Sequence, residues 1–411
     1  MKKLGLKAAL YINYFVFAIL LNSVGIVIKQ AIENYNVLET EASILEAFKD
    51  LPIAIVSFFV ASFLPRIGYK KTMLYALGLA FAACIYMYFG NSFLSTKILF
   101  ACIGVSFAFI KISVFSIIGL LTKTKEEHSS LMSSIEGVFM IGVASTYFIF
   151  PVFFNADFPD SWLNVYLFLA GLIIVSFVLL LFIKMDVEVE VSASSVEDFL
   201  GMLRLIVLPL VIFFVLSAFL FAMVEQGIMT WLPTFNKKIL MLNDVLSVQM
   251  ASILAISLSV GRLLAGNLVK KIHWVKLLTA CIIIAMILVA LVLPGALNRE
   301  ATIVHSMWDI PPVGYIFPVI GLFIAPIYPL INSALLSVLP LNKHSSATGL
   351  IVIFSALGGT FGSRAIGYLF EHIDGARAFY FLLIPMLLLI LAIWLFNRAV
   401  IRHENRIANN E

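Results

Sequence analysis

The groups in this chain that could do chemistry are charges set inside apolar runs. Of the 27 lysines and arginines, five fall within or at the edge of such runs: Lys29, Lys49, Lys111, Arg262 and Arg364. Glu46, Asp50, Glu136 and Glu225 are the carboxylates in the same setting. A charge in hydrocarbon costs several kcal/mol unless it is paired or reaches water, so each is a candidate for binding a solute, carrying a proton or fastening helices. Lys111 stands ten residues before the end of its run at Leu121, about 15 Å along a helix and so near mid-bilayer. That depth suits a ligand for an anionic or polar solute. An ion pair with Glu136, at similar depth on the next run, is the structural alternative. Glu225 and Arg364 lie eight residues before Pro233 and seven before Glu371, about 10–12 Å inside the outer surface. Each could fasten helices, bind a solute or carry a proton.

Arg262 lies near the inner end of its run, where a long cation can reach the interface, and reads as structural. Glu46 and Lys49 can satisfy each other at i, i+3, which leaves Asp50 as either a protonatable group or a water-exposed rim residue. Asn22 can donate to a polar solute or make an interhelical packing contact. The six histidines are scattered through predicted loops and helix ends, and no pair has metal-ligand spacing, so neither a metal nor another cofactor is expected. An intramembrane enzyme would need a convergent nucleophile and histidine set, and none is found in the runs. No phosphate-cradling Gly-x-x-x-x-Gly-Lys-Ser/Thr loop occurs, which excludes direct ATP drive from this chain.

The elements that must position these groups are membrane helices. Hydrophobic residues make up 62% of the 411-residue chain and charged residues 12%, with a mean hydropathy of +1.07, outside the range of soluble domains. The expected architecture is an all-α membrane protein of twelve transmembrane helices. In the first half the spans lie near Ala8 to Lys29, Ile44 to Leu64, Thr72 to Phe89, Leu94 to Leu121, Leu131 to Phe153 and Trp162 to Ile183. In the second they lie near Leu203 to Leu232, Val245 to Val269, Leu277 to Leu293, Pro312 to Leu339, Ala347 to Phe370 and Ala378 to Phe396. Residues 184–202 form the one long polar break and read as a cytoplasmic linker between an N-terminal six-helix bundle, 1–183, and a C-terminal one, 203–411.

Seventeen Lys and Arg fall on one set of loops, against five on the other (Lys97, Lys237, Lys238, Arg299 and Arg377), which places both termini and the linker in the cytoplasm. The +4 net charge follows from this topology, since no basic tract offers a nucleic-acid surface. Cys84, Cys102 and Cys281 fall inside apolar runs and are expected to be free thiols. Met-Lys-Lys and the run after it read as the first retained helix, because no small-residue cleavage site follows. Two short basic hairpins, 61–71 and 266–276, are offset by 205 residues, half the chain, which suggests two copies of one unit.

Six plus six helices, a central linker and paired basic hairpins resemble the major facilitator superfamily. Its loop pattern is Gly-x-x-x-Asp-Arg/Lys-x-Gly-Arg-Arg/Lys; here Arg66, Gly68 and Lys70 match, while Ala61, Pro65 and Tyr69 depart from it. The resemblance implies two pseudo-symmetric bundles, alternating access, and a gating role for Arg66, Gly68 and Lys70; the loop's missing Asp removes the charge behind the usual gating salt bridge. Ala325-Pro-Ile-Tyr-Pro-Leu-Ile-Asn-Ser333, with Gly358, Gly359 and Gly367, is similar to the L-fucose permease branch. Fourth helices of the superfamily line its central cavity, and its seventh and eleventh helices are neighbours, which implies that Glu225 and Arg364 form a pair that either holds the two helices together or opens when a proton or solute binds. The expected protein is a secondary active transporter, monomeric, in the bacterial inner membrane. It moves a small polar or anionic solute such as a sugar, sugar acid or carboxylate, with protons as the coupling ion. Lys111, Asn22, Tyr328 and Arg364 are the expected solute contacts. The branch's own proton-carrying acids align with Ser23 and about Phe109, so Glu225, Glu136 and Asp50 are the coupling candidates. An exporter or facilitator of a hydrophilic metabolite, or a non-transporting sensor on the same fold, is the alternative.

Overall fold

The computed structural model describes residues 2–60, 68–121, 125–182, 206–269, 271–297, 306–310, 312–339, 344–373 and 375–408. Its secondary structure is helical, with no strand among the described residues. In lipid no water is available to backbone groups, and a helix satisfies them within one segment. In the first half the helices are α1 Lys2–Asn22, α2 Val24–Tyr35, α3 Glu39–Ala42, α4 Ile44–Val60, α5 Tyr69–Gly90, α6 Phe93–Leu121, α7 Lys125–Ile149 and α8 Asn164–Phe182. In the second they are α9 Pro209–Lys238, α10 Asp244–Gln249, α11 Ser252–Leu268, α12 Trp274–Leu297, α13 Pro312–Ile324, α14 Ile327–Val338, α15 His344–His372, α16 Gly375–Ala378 and α17 Leu383–Ala408.

Among the described residues, eleven of the twelve expected spans are long and apolar enough to cross a membrane. The remaining one is α4, whose expected last positions, 61–64, lie outside the described residues, as does the expected linker at 184–202. The three cysteines are free thiols.

Two spans break where polar or proline residues compete with the helix. The first is split at Ser23: Asn22 Nδ2 donates to the Ala18 carbonyl at 2.8 Å and Ser23 Oγ to that of Leu20 at 2.7 Å. The tenth is split between α13 and α14 at Ala325–Pro326, where proline removes a backbone donor. By contrast α9 runs through Pro233 to Lys238, six residues beyond the expected end at Leu232. The corner between α5 and α6 is set locally. Asn91 turns left-handed (φ 34°), and Ser92 and Ser95 each accept the other's backbone N–H, at 3.0 and 3.2 Å.

By backbone contacts the chain forms two compact units, Met1–Val37 with Leu45–Ser195, and Leu38–Ile44 with Val196–Glu411. In the first unit α1 packs on α7 and α5 on α6 and α8. A Cβ added at Gly142 on α7 would lie 2.7 Å from both the Ala18 side chain and the Phe15 carbonyl of α1. In the second unit α9 and α15 form the most extensive helix pair. The short α3 belongs to this unit: Glu39 pairs with Lys238, and the Thr40 N–H donates to Glu371 Oε2 at 3.2 Å.

The α9–α15 contact depends on two glycines one turn apart. Any Cβ at Gly358 or Gly362 would run into the backbone carbonyl of Phe219 or Met223. Trp231 closes the same seam, its Nε1 donating to the Ser363 carbonyl at 2.8 Å. A side chain forced against backbone cannot be absorbed by a rotamer change, and overpacking costs about 1–3 kcal/mol even in softer surroundings. Gly362→Val is therefore expected to lower the melting temperature of the detergent-purified protein by several degrees. Gly78→Val, where a Cβ meets nothing within 4 Å, should leave it unchanged. Equal melting curves for the two variants would show that α9 and α15 are not packed as described.

Candidate functional sites

In the first unit the charges of interest sit beside aromatic rings. Lys111 is ten residues from the Leu121 end of α6 and Glu136 eleven from the Lys125 start of α7, so both stand about 15–17 Å along their helices. The Lys111 ammonium is 6.0 Å from the centroid of the Phe107 ring. Phe107 lies 6.2 Å from Tyr14 on α1 and 5.9 Å from Phe139 on α7, and Tyr14 and Phe139 are themselves 5.9 Å apart. Glu136 is the acid whose charge acts on both Lys111 and the Tyr14 hydroxyl. Tyr14 is buried, Lys111 half-buried and Glu136 exposed. The arrangement is a cation held by an aromatic face on one side and a carboxylate field on the other. Sequence reasoning singled out both charges and missed the rings, whose role cannot be told from ordinary helix packing without coordinates.

A second group lies on α4. Lys49 pairs closely with Glu46 and stands 3.5 Å from Asp50 Oδ1, so one ammonium serves both carboxylates. Glu46 and Lys49 are buried and Asp50 half-buried. Gly104 of α6 admits the α4 backbone at Lys49, with Pro52 beside it. On α2 the buried Lys29 pairs with Glu33 Oε2 at 3.0 Å and lies 5.5 Å from the Phe154 ring centroid. Asn22 is half-buried, with one amide donor engaged by its own helix.

In the second unit the expected pairing is corrected. Glu225 pairs with Arg262 of α11, Oε1 to Nη2 at 3.0 Å, and not with Arg364. The physical reason is the length of α9. Because the helix continues through Pro233, Glu225 lies thirteen residues from its Lys238 end, about 20 Å down the axis. Arg364 is only eight residues from the His372 end of α15, about 12 Å. Arg262, ten residues into α11 and so about 15 Å down, is nearer in depth to Glu225 than Arg364 is. Arg364 is exposed and has no carboxylate within ion-pair distance among the described residues. Arg262, expected as a snorkelling structural cation, is instead the partner of the deepest acid in the unit.

Beside this pair stands Tyr328 of α14, half-buried, its ring 5.7 Å from Phe221 of α9. Its hydroxyl faces the Asn332 amide and the Ser355 hydroxyl and lies in the field of Glu225 and Arg262. Asn332 Oδ1 and Ser355 Oγ are nevertheless buried and without a hydrogen-bond partner of good geometry. Sequence reasoning named Tyr328 and not these neighbours.

Of the expected gating residues, Arg66 lies outside the described residues. Gly68 holds φ +91°, a conformation that favours glycine, and its carbonyl accepts the Thr72 N–H at 3.1 Å. Lys70 donates to the Leu181 carbonyl at the end of α8, at 2.9 Å.

Eleven long apolar helices among the described residues, with charges at mid-span, define a multi-pass helical membrane protein. The family model of the Major Facilitator Superfamily matches residues 10–363, most of the chain, and the protein belongs to that superfamily. No curated protein matches it. Among solved structures it is similar to the nucleoside transporter NupG, at TM-score 0.73 and 14% identity, over 95% of this chain and 99% of that one. The D-xylose-proton symporter gives 0.73 and 12%, over 96% and 98%. The Major Facilitator Superfamily transporter FucP, in an outward conformation, gives 0.63 and 13%, over 96% and 98%. At these identities the likeness shows the fold, and the expected L-fucose permease branch is one of several neighbours.

Proposed function

We propose that the protein is a secondary active transporter that moves a small polar solute across the cytoplasmic membrane by alternating access, with protons as the coupling ion. The observation that carries this reading is a pair of opposite charges at mid-membrane depth in each unit, Lys111 with Glu136 and Glu225 with Arg262. Such charges are expensive to place there, and a scaffold role alone would be served by apolar packing at lower cost. Lys111, Asn22, Tyr328 and Arg364 contact the solute in this reading. Glu225 carries the proton, with Glu136 and Asp50 as the further candidates. The chain works as a monomer in a bacterial inner membrane and needs no cofactor. The names of the similar structures, covering nucleosides, D-xylose with a proton, and 5-aminolevulinic acid bound to a POT family transporter, support small polar cargo as a class.

Proteoliposomes containing only this protein are expected to take up a labelled solute from a panel of sugars, sugar acids, nucleosides and carboxylates. Uptake should exceed that of empty vesicles and rise when an inward proton gradient is imposed. Absence of flux for every member, in vesicles where the protein binds one of them, would favour a sensor on this fold; flux indifferent to the gradient would favour a facilitator or exchanger.

A further inference from the structure

We infer that the second unit carries a binding site for an anionic phospholipid, its head group held where Lys276 and Arg398 emerge from the seam between α12 and α17. Two contacts fix that seam. Trp394 Nε1 of α17 donates to Thr279 Oγ1 of α12 at 3.1 Å, and the Trp274 ring of α12 stands edge-on to Phe396 of α17 at 5.8 Å. Later residues of α12 thus meet earlier residues of α17, and the helices are antiparallel. Lys276 precedes Thr279 by three residues, and Arg398 follows Trp394 by four, so both steps lead toward the same end, by about 4.5 and 6 Å. Residues three or four apart share a helix face, which puts the two cations at similar depth on the faces that meet at Trp394.

Both cations are exposed, as are Lys271 just before α12 and Arg402 one turn beyond Arg398. None of the four has a carboxylate within ion-pair distance among the described residues. Glu404 is the single acid in the sequences of the two helices. Cations gathered without a counter-charge repel one another, and an anion between them relieves the repulsion. The helix dipole does not explain the gathering. Arg398 stands ten residues before the Ala408 end of α17, outside the last turn, and α12 begins at this end, so its own dipole adds to the positive field. The anion is assigned to a lipid by what lies on the other side of Trp394. There Ile283 and Ile287 of α12 and Leu387 and Leu391 of α17 are exposed. An acyl chain resting on them brings its phosphate to Lys276 and Arg398, with the indole of Trp394 at the level between hydrocarbon and head group. A zwitterionic head group would add its own ammonium to a cluster already positive, which selects a lipid of net negative charge. On the topology expected from the sequence this end faces the cytoplasmic leaflet.

The test follows the melting temperature of the full-length protein, washed free of co-purified lipid in detergent, as dioleoyl phosphatidylglycerol, dioleoyl phosphatidylcholine or glycerol 3-phosphate is added. Phosphatidylglycerol is expected to stabilise the protein at concentrations roughly tenfold or more below those of phosphatidylcholine, and glycerol 3-phosphate to have no effect. Lys276→Gln and Arg398→Gln should each raise the phosphatidylglycerol midpoint about fivefold, and together about twenty-fivefold, while Lys276→Arg keeps it. Lys7→Gln with Lys71→Gln removes the same charge from the first unit and should leave the midpoint where it was. Equal responses to the two lipids, or equal shifts in the two double variants, would make these cations dispersed interfacial anchors and overturn the proposal. Stabilisation by glycerol 3-phosphate as strong as that by phosphatidylglycerol would overturn the assignment to a lipid. A lipid-free Lys276→Gln, Arg398→Gln variant that melts well below the wild type would give the two side chains a role in the fold, and the site would be lost.

Discussion

Lys111→Ala is expected to reduce transport by about a hundredfold or more, equivalent to about 2.8 kcal/mol of lost solute binding, while the protein still folds and inserts. The ammonium sits mid-helix on α6, 6.0 Å from the Phe107 ring, in the field of Glu136. Removing a cation from such a place also removes its desolvation cost, so the apolar replacement should not unfold the bundle. What it leaves behind is the Glu136 carboxylate facing the same space with less compensation. The double variant Lys111→Ala with Glu136→Gln therefore distinguishes the two roles this lysine can have. If Lys111 only neutralises Glu136, the double variant should recover transport. If Lys111 touches the solute, the double variant should stay inactive with an ordinary melting temperature. Normal transport by Lys111→Ala alone would end its candidacy altogether.

Much of the helical frame was legible because a bilayer imposes one strong rule: about 20 apolar residues per span, polar residues between them. The break of the tenth span falls at Pro326, which cannot donate in the helix, while Pro318 and Pro329 are carried inside helices, so the prolines alone do not give its position. The break at Ser23 was not, because it comes from side chains of Asn22 and Ser23 bonding to carbonyls of their own helix, which many membrane helices tolerate unbroken. The Glu225 partner was misread for a related reason. Proline was taken as the end of α9, yet the helix passes through Pro233, and five more residues of helix put Glu225 roughly 8 Å deeper. Depth counted from a misplaced helix end selects the wrong cation. That Asn332 and Ser355 stand beside Tyr328 was illegible in principle, since which side chains meet is a statement about space.

Glu225→Gln is expected to keep solute binding and exchange but to lose proton-driven accumulation. A coupling carboxylate must take up a proton on one side of the membrane and release it on the other, so its surroundings must be able to favour each form in turn. Glu225 has a means for both. Its side chain is 13% exposed, which penalises the charged form, and Arg262, 39% exposed and 3.0 Å away, stabilises it. Moving the arginine by a few ångströms would exchange one condition for the other. Glutamine mimics the protonated acid permanently, so the solute site stays formed while no proton is carried. Arg262→Ala should act in the opposite sense on the same step. It removes the ion-pair partner of Glu225, so uphill uptake should fail while exchange persists. Its stability cost should fall between the about 1 kcal/mol of exposed ion pairs and the about 3–5 kcal/mol of fully buried ones, because this pair is partly solvated. Combining Arg262→Ala with Glu225→Gln should recover that loss. The measurement is solute accumulation in proteoliposomes with an imposed proton gradient, compared with counterflow in its absence. If Glu225→Gln still concentrates solute against its gradient, the proton is carried elsewhere, and Glu136 or Asp50 takes its place as the group to replace.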